Sequence, residues 1–333
     1  MAYGTVTQRK IQIGAESTAG TAVAATTIWR GPAAQIDPGL DVRRPEENVG
    51  LLVDTERNYI PSIMAMLDIP ECEATFEQMP YLFEGSIKKI GTGAADGTGT
   101  GKIYAYSYDE TGGQTLQTYT IEAGDNNQAH EMEYSFPTEW SLKWAARDGL
   151  RMSSKWSGKQ RTSTTFTGSL SLPTVEEILA PKIYIDDAGG TIGTTQLTGT
   201  LVGYELKCST GLVPVFTGEG VKTFTAVKQT KPSITLRLTY EHDANATTEY
   251  GKMAAMTTRL VRILHEGSAV TKGTGAYSYK TARFDMAGRY VSFSPYEDQD
   301  GDNQITVELQ AGYNVAADLF FSATVVNLLA ALA

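Results

Sequence analysis

Two short cassettes constrain this chain more than any other feature. Trp140-Ser141-Leu142-Lys143-Trp144 runs into Gly149-Leu150, and Tyr204-Glu205-Leu206-Lys207-Cys208 runs into Gly211-Leu212. In each, large apolar residues alternate with polar ones, so Trp140, Leu142 and Trp144 share one face and Ser141 and Lys143 the other. This is the period of a half-buried antiparallel strand, and the glycine marks the turn into the next one. Two such cassettes predict two related β units, the pattern of a building block rather than of an enzyme.

Strand candidates are dense on both sides of the cassettes. They fall at 103–108, 117–122, 130–136, 139–144 and 150–156, then at 182–186, 198–208, 212–216 and 233–240, with four more between 259 and 326. Many short strands separated by turns predict a mainly β chain, folded as a sandwich or barrel. Phe76, Met79, Leu82 and Phe83 recur at helical spacing and predict a helix over 75–87, kinked at Pro80. A second helix is predicted over 246–257. The first helix precedes its cassette and the second follows it, an order that simple tandem duplication does not produce. The proline-bounded stretch 173–181 divides the chain, with a boundary near Thr174 to Ala180, into units 1–175 and 176–333.

At 333 residues, with 41% hydrophobic and 20% charged residues, the chain has the profile of a folded protein with room for one large or two smaller β units. A net charge of -10 and a pI near 4.9 argue against a surface made to grip nucleic acid, which needs clustered Lys and Arg. Cys72 and Cys208 are too few for a disulfide framework or a four-ligand zinc site and read as buried thiols. The start, Met1-Ala2-Tyr3-Gly4, lacks the features of a secretion signal. Residues 315–333 have the length of a membrane span but contain Asp318 and Asn327, so a strand over 319–326 is expected there and no membrane partner.

No catalytic constellation emerges, and none is expected. The three histidines, His130, His242 and His265, have no metal-binding spacing, and the glycine-rich stretch 91–101 lacks the Gly-Lys-Ser/Thr ending of a phosphate loop, so it reads as a flexible connection. No cofactor is implied. The acidic run 297–303 offers Asp298, Asp300 and Asp302 to a calcium ion. Its glycine comes too early for an EF-hand, and Leu309 stands where a bidentate glutamate is needed, so a solvated hairpin tip is the preferred reading. Residues 37–61 combine three prolines with Asp37, Arg43, Arg44, Glu46, Glu47, Asp54, Glu56 and Arg57, too polar for a core and too long for a turn; the segment reads as disordered or as a contact loop.

Several stretches, in order, resemble the major tail tube proteins of long-tailed, non-contractile bacteriophages. They are Gly14-Ala15-Glu16 with Gly20-Thr21, Ile28-Trp29-Arg30-Gly31, the run Pro181-Lys182-Ile183-Tyr184-Ile185-Asp186, the 201–213 cassette, and the stretch from Arg283-Phe284-Asp285-Met286-Ala287-Gly288 through Asp300-Gly301-Asp302-Asn303 to Gly312-Tyr313-Asn314. The resemblance implies two tail-tube-like antiparallel β-sandwich or barrel domains, each with a short flanking helix, in a structural virion protein. Such proteins form stacked rings, the channel for genome passage and ejection, made in the host cytoplasm and carried in the virion tail. The implied partners are other copies of the chain, as a trimer with pseudo-hexameric symmetry or as a hexamer. The tape measure protein and other tail proteins are implied as well, and DNA would pass without sequence-specific binding. Trp140, Leu142, Trp144, Tyr204, Leu206 and Cys208 become candidate wall strands, and the eight charged residues of 37–57 candidate contacts between rings. An acidic channel wall is expected, because it would repel phosphates. The alternative is a β-rich carbohydrate-binding or adhesion module, with Trp140, Trp144 and Trp156 as stacking faces.

Overall fold

A computed structural model describes residues 3–299 and 301–332. Period-two alternation becomes strand nearly everywhere that it was read. In chain order the strands are β1 (Lys10–Ala15), β2 (Thr27–Trp29), β3 (Ala65–Glu73), β4 (Ala94–Ala95), β5 (Lys102–Ser107), β6 (Tyr119–Gly124), β7 (Ala129–Ala145), β8 (Arg151–Gly158) and β9 (Arg161–Thr164). There follow β10 (Pro181–Asp187), β11 (Gln196–Leu197), β12 (Leu201–Ser209), β13 (Leu212–Val215), β14 (Ala226–Gln229), β15 (Ser233–Glu241), β16 (Arg259–Ala269), β17 (Tyr279–Phe293), β18 (Glu297–Gln299), β19 (Asp302–Ala311) and β20 (Phe321–Asn327). Helix α1 (Met79–Ser86) follows β3, and α2 (Ala244–Ala254) follows β15. Pro80 lies in the first turn of α1, where its missing N–H has no partner to lose, so it starts the helix instead of kinking it.

The two halves repeat one pairing scheme. In the first, β2 pairs β1, β1 pairs β6, β6 pairs β7, β7 pairs β8 and β9, and β8 pairs β3. In the second, β11, β10, β16, β17, β19, β20 and β15 take the places of β2, β1, β6, β7, β8, β9 and β3, with every one of those pairings preserved. Each helix follows the equivalent strand, β3 or β15. Even a bulge recurs: β7 slips one residue between Pro137 and Glu139 against β8, and β17 slips one between Tyr290 and Ser292 against β19. Both halves therefore wrap two sheet layers around a long bent strand that belongs to each layer in turn.

The cassettes are not the repeat. They are neighbours, Trp140 opposite Cys208, Leu142 opposite Leu206 and Trp144 opposite Tyr204. The bulges align Trp140 with Phe293 of β17, not with the 204–208 strand. Antiparallel neighbours on one sheet face share their alternation by necessity, which is why cross-strand partners mimic a duplication. With β7 matched to β17, the helices keep the same order and the conflict seen in the sequence disappears. The residue echo of the true repeat is Lys10-Ile11-Gln12-Ile13 against Lys182-Ile183-Tyr184-Ile185, opening β1 and β10.

Pairing of β7 with β12 fuses the halves into one continuous layer in the order β3, β8, β7, β12, β15, β19, β17. A second strand pairing between the halves joins β20 with β5. Residues 174–180 do not interrupt the packing: Ile178 is fully buried, and its N–H bonds the Ala74 carbonyl while its own carbonyl accepts from Leu150. One hydrophobic core runs through both halves, including Phe83, Trp140, Leu142, Leu206, Leu236 and Phe284. Each fully buried side chain of this size contributes roughly 1.5–3 kcal/mol. A buried ion cluster adds a tie, Lys280 of β17 lying 2.7 Å from Glu77 and 3.0 Å from Glu176. Burial alone would lower the Lys280 pKa, but the bonds from the two carboxylates outweigh it and raise it.

The glycine-rich connection is held rather than loose. Asp96 is buried and accepts from the N–H groups of Ala276 and Tyr277, while Thr98 and Thr274 exchange backbone and hydroxyl bonds. A Cβ on Gly97 would strike the 274–275 backbone, so the small residues serve close approach of two loops.

Candidate functional site: a polar sheet face with an open edge at each end

The six candidate wall residues all point into the core, none more than 8% exposed. Trp144 stacks on Tyr204, the Trp140 indole donates to Ser86 at 3.2 Å, and Cys208 lies 3.5 Å from the Tyr108 hydroxyl. Burial pushes the Cys208 thiol up to about 12 and Cys72 up to about 11, which removes both as nucleophiles near neutral pH. What these strands offer to the outside is their alternate set.

That set forms rows across the fused layer. One row runs Glu73, Arg151, Lys143, Glu205, Arg237, Glu308; the next runs Ser153, Ser141, Lys207, Thr235, Gln310; a third runs Asp68, Lys155, Glu139, Ser209, Ser233. Charges along the rows are largely matched. Lys155 lies 2.8 Å from Glu139, Lys207 lies 3.0 Å from Glu205, and Arg151 reaches Asp148 at 3.0 Å and Glu71 at 3.7 Å. The hydrogen bond to Glu139 raises the Lys155 pKa, and that to Asp148 raises Arg151. Between them lie hydroxyl pairs, Ser141 to Ser153 at 2.8 Å and Thr239 to Thr306 at 3.2 Å. A shallow trough of about 620 Å³ crosses this face, lined by Asp68, Glu139, Ser141, Lys155, Lys207 and Ser233 among others. Arg151, Lys155 and Lys207, already paired with carboxylates, have little to offer a phosphate backbone, and no aromatic platform rises from the rows.

The 37–61 segment is an extended arm. Single bridges join Asp37 to Met66, Leu40 to Ile63 and Arg43 to Tyr59, so the arm is an irregular hairpin continuing β3 outward. Gly39 turns at its base with φ +55, where a Cβ would run into the Met64 carbonyl. Of the charged residues expected to act here, Arg43 pairs with Asp41 at 2.9 Å, and Glu47 closes the loop by accepting from Thr55 and Arg57. Asp37 accepts from the Gly39 N–H; Arg44, Glu46 and Glu56 stand out in solvent near the tip. Charge drew attention to this loop, but its most unusual content is apolar: Leu51, Leu52 and Val53 are 64%, 107% and 72% exposed. The β13–β14 hairpin occupies the equivalent place between β12 and β15. It folds back on the first half, burying Phe224 against Phe136, Tyr134 and Met64, with the Lys222 carbonyl accepting from Ile63.

The acidic run is a β18–β19 hairpin in which Asp298 accepts from the Gly301 N–H, a turn contact. Asp302 pairs with Gln299 in the register, and Asp300 lies outside the described residues. Among the described residues no group of three or more His, Cys, Asp or Glu side chains converges as a metal site. His265 is fully buried, its Nε2 2.7 Å from the Tyr204 hydroxyl and its Nδ1 bonded to the Leu179 carbonyl. The His242 ring packs against Tyr296 at 4.4 Å, tilted by 48°. All four tryptophans are buried. No described helix is long and apolar enough to cross a membrane.

No family model matches the sequence, and no curated protein matches it.

Proposed function

We propose that this chain is a structural subunit that assembles into stacked rings, as in the tail tube of a long-tailed bacteriophage. The observation that carries the reading is the β7–β12 join. Two units of the same topology are already fused edge to edge within one chain, and the layer they share, extended past β3 by residues 36–39, ends on both sides in an edge that has no strand partner among the described residues. A join that works once inside the chain can be repeated between chains, and a repeated head-to-tail contact closes into a ring when its rotation permits. Three chains would bring six equivalent halves, so a trimer has the economy of a pseudo-hexamer.

In that ring the polar rows face the channel. Asp68, Glu71, Glu73, Glu139, Glu205, Glu241 and Glu308 outnumber Lys143, Arg151, Lys155, Lys207, Arg237 and Arg289 on this face by seven to six. The excess is acidic, and DNA would slide past a wall of matched ion pairs and hydroxyls without gripping it. The arm with Leu51, Leu52 and Val53 supplies an apolar contact for the next ring, and a tape measure protein would occupy the channel before DNA does. A carbohydrate-binding module has less support, since the tryptophans that would stack on sugars are inside the core. Electron microscopy of the purified protein tests the proposal. Rings with a central hole, or tubes built from them, are expected; a monodisperse monomer at every concentration and salt would overturn it.

A further inference from the structure

The internal join also specifies how the next copy attaches. Bulge and pairing registers align residues 292–295, the end of β17 and the two residues after it, with β7 residues 139–142, and β3 residues 65 and 67 with β15 residues 234 and 236. The partner of β15 in the second half is β12; the corresponding partner of β3 is the extended segment 36–39, bridged to it through Asp37 and Met66. Ile36 thus stands where Leu206 stands, and both are buried. Inside the chain β12 passes its other edge to β7. The other edge of 36–39 and the matching edge of β17 have no strand partner among the described residues, because β16 leaves β17 at Gly288.

We propose that residues 36–39 of one copy pair antiparallel with residues 292–295 of a second copy, in the register of β12 on β7. Ile36 then lies opposite Pro295, Asp37 opposite Ser294, and Pro38 opposite Phe293, as Leu206, Lys207 and Cys208 lie opposite Leu142, Ser141 and Trp140. This deepens the ring reading and rests on it.

Hydrogen-bond parity agrees. Asp37 spends its N–H and C=O on Met66, at 2.8 and 3.1 Å, so the groups of Ile36 and Pro38 face outward. Ser294 spends its N–H on Thr306, so those of Phe293 and Pro295 face outward. Each edge carries one proline, which has no N–H, and one donor. In the proposed register the Ile36 N–H meets the Pro295 carbonyl and the Phe293 N–H meets the Pro38 carbonyl, so neither surviving donor is orphaned. The Ile36 carbonyl, which Pro295 cannot serve, is already bonded by Arg161 at 3.2 Å. Two prolines on facing edges also discourage other strands from adding there, which makes the seam selective.

Asp37 and Ser294 form the non-hydrogen-bonded pair, with Cα atoms about 4.5 Å apart in such a ladder, within disulfide reach. The double variant Asp37→Cys/Ser294→Cys, oxidised mildly, is expected to give a ladder of covalent oligomers that stops at the ring size. Each single variant alone should give none, because Cys72 and Cys208 are buried; mixing the two single variants should give dimers only. A second measurement avoids cysteine: Ser294→Glu, facing Asp37, should weaken assembly by about two- to fivefold and Ser294→Lys strengthen it, the order reversing with Asp37→Lys. Rings that form without the crosslink and ignore these charges would overturn the seam while leaving the ring reading intact. Crosslinked dimers from a single variant would overturn it by showing a two-fold contact, and absence of any assembly would overturn both.

Discussion

His265 makes the stability of this protein depend on pH in a way that can be isolated. The imidazole lies where β16, β12 and the 174–180 segment meet, its Nδ1–H given to Leu179 and its Nε2 accepting from Tyr204. A neutral ring satisfies both contacts. Protonation would set an N–H against the Tyr204 hydroxyl and bury a charge, and burial accordingly lowers the pKa from 6.5 to about 4. The unfolded chain binds this proton at a higher pH than the folded one, so the contribution is complete above 6.5 and is lost as pH falls toward 4. At about 1.4 kcal/mol per pH unit the loss across this window is about 3 kcal/mol. The assay is urea unfolding at a series of pH values, followed by fluorescence of the buried tryptophans, for wild type and His265→Gln. The variant loses packing and is less stable at pH 7, but its stability should fall less steeply between pH 6.5 and 4, by about that 3 kcal/mol. Parallel curves for the two proteins over this window would refute the reasoning.

Three further outcomes follow from the geometry. Asp243 caps α2 by accepting from Asn245 and Ala246 at 2.8 and 3.0 Å, so Asp243→Ala should cost about 1 kcal/mol in urea unfolding without changing assembly. Arg259 is buried and forks onto Glu249 at 2.9 and 2.7 Å; Arg259→Met leaves that carboxylate buried with only the Tyr290 hydroxyl and should cost about 3–5 kcal/mol, whereas Arg259→Met/Glu249→Met should recover most of it. Leu51→Ser/Leu52→Ser changes only solvent-exposed side chains, so the unfolding midpoint should hold within about 0.5 kcal/mol while tubes seen by electron microscopy shorten or separate into single rings.

Much of the local structure was readable residue by residue. Alternation at 139–144 and 233–240 marked strands because a half-buried sheet admits no other period, and Met79, Leu82 and Phe83 marked a helix packed on its inner face, which starts at Met79, past the expected Thr75 and Phe76. Two of the misreadings have a common cause. Gly91 to Gly101 looked flexible because composition does not show the 271–277 loop that locks onto it. The cassettes looked like a repeat because strands that will lie side by side are selected for the same alternation. The repeated pairing scheme left almost no residue trace beyond Lys-Ile-x-Ile at 10–13 and 182–185, since many side chains can fill equivalent core positions if volume and pattern are kept.

The same division holds for the proposed site. Taken alone, the sequence determined a β-rich chain, an acidic balance, a polar segment at 37–61 outside the core and the lack of a recognisable catalytic motif, because each of these is set by composition or by neighbours a few residues apart. Only the tertiary structure decided which strands are equivalent, that the halves join through β7 and β12, and that residues 36–39 and 292–295 are left as complementary edges. Those facts depend on which backbone groups are already spent on a neighbour, and hydrogen-bond partners far apart in sequence become visible only when the sheet is assembled.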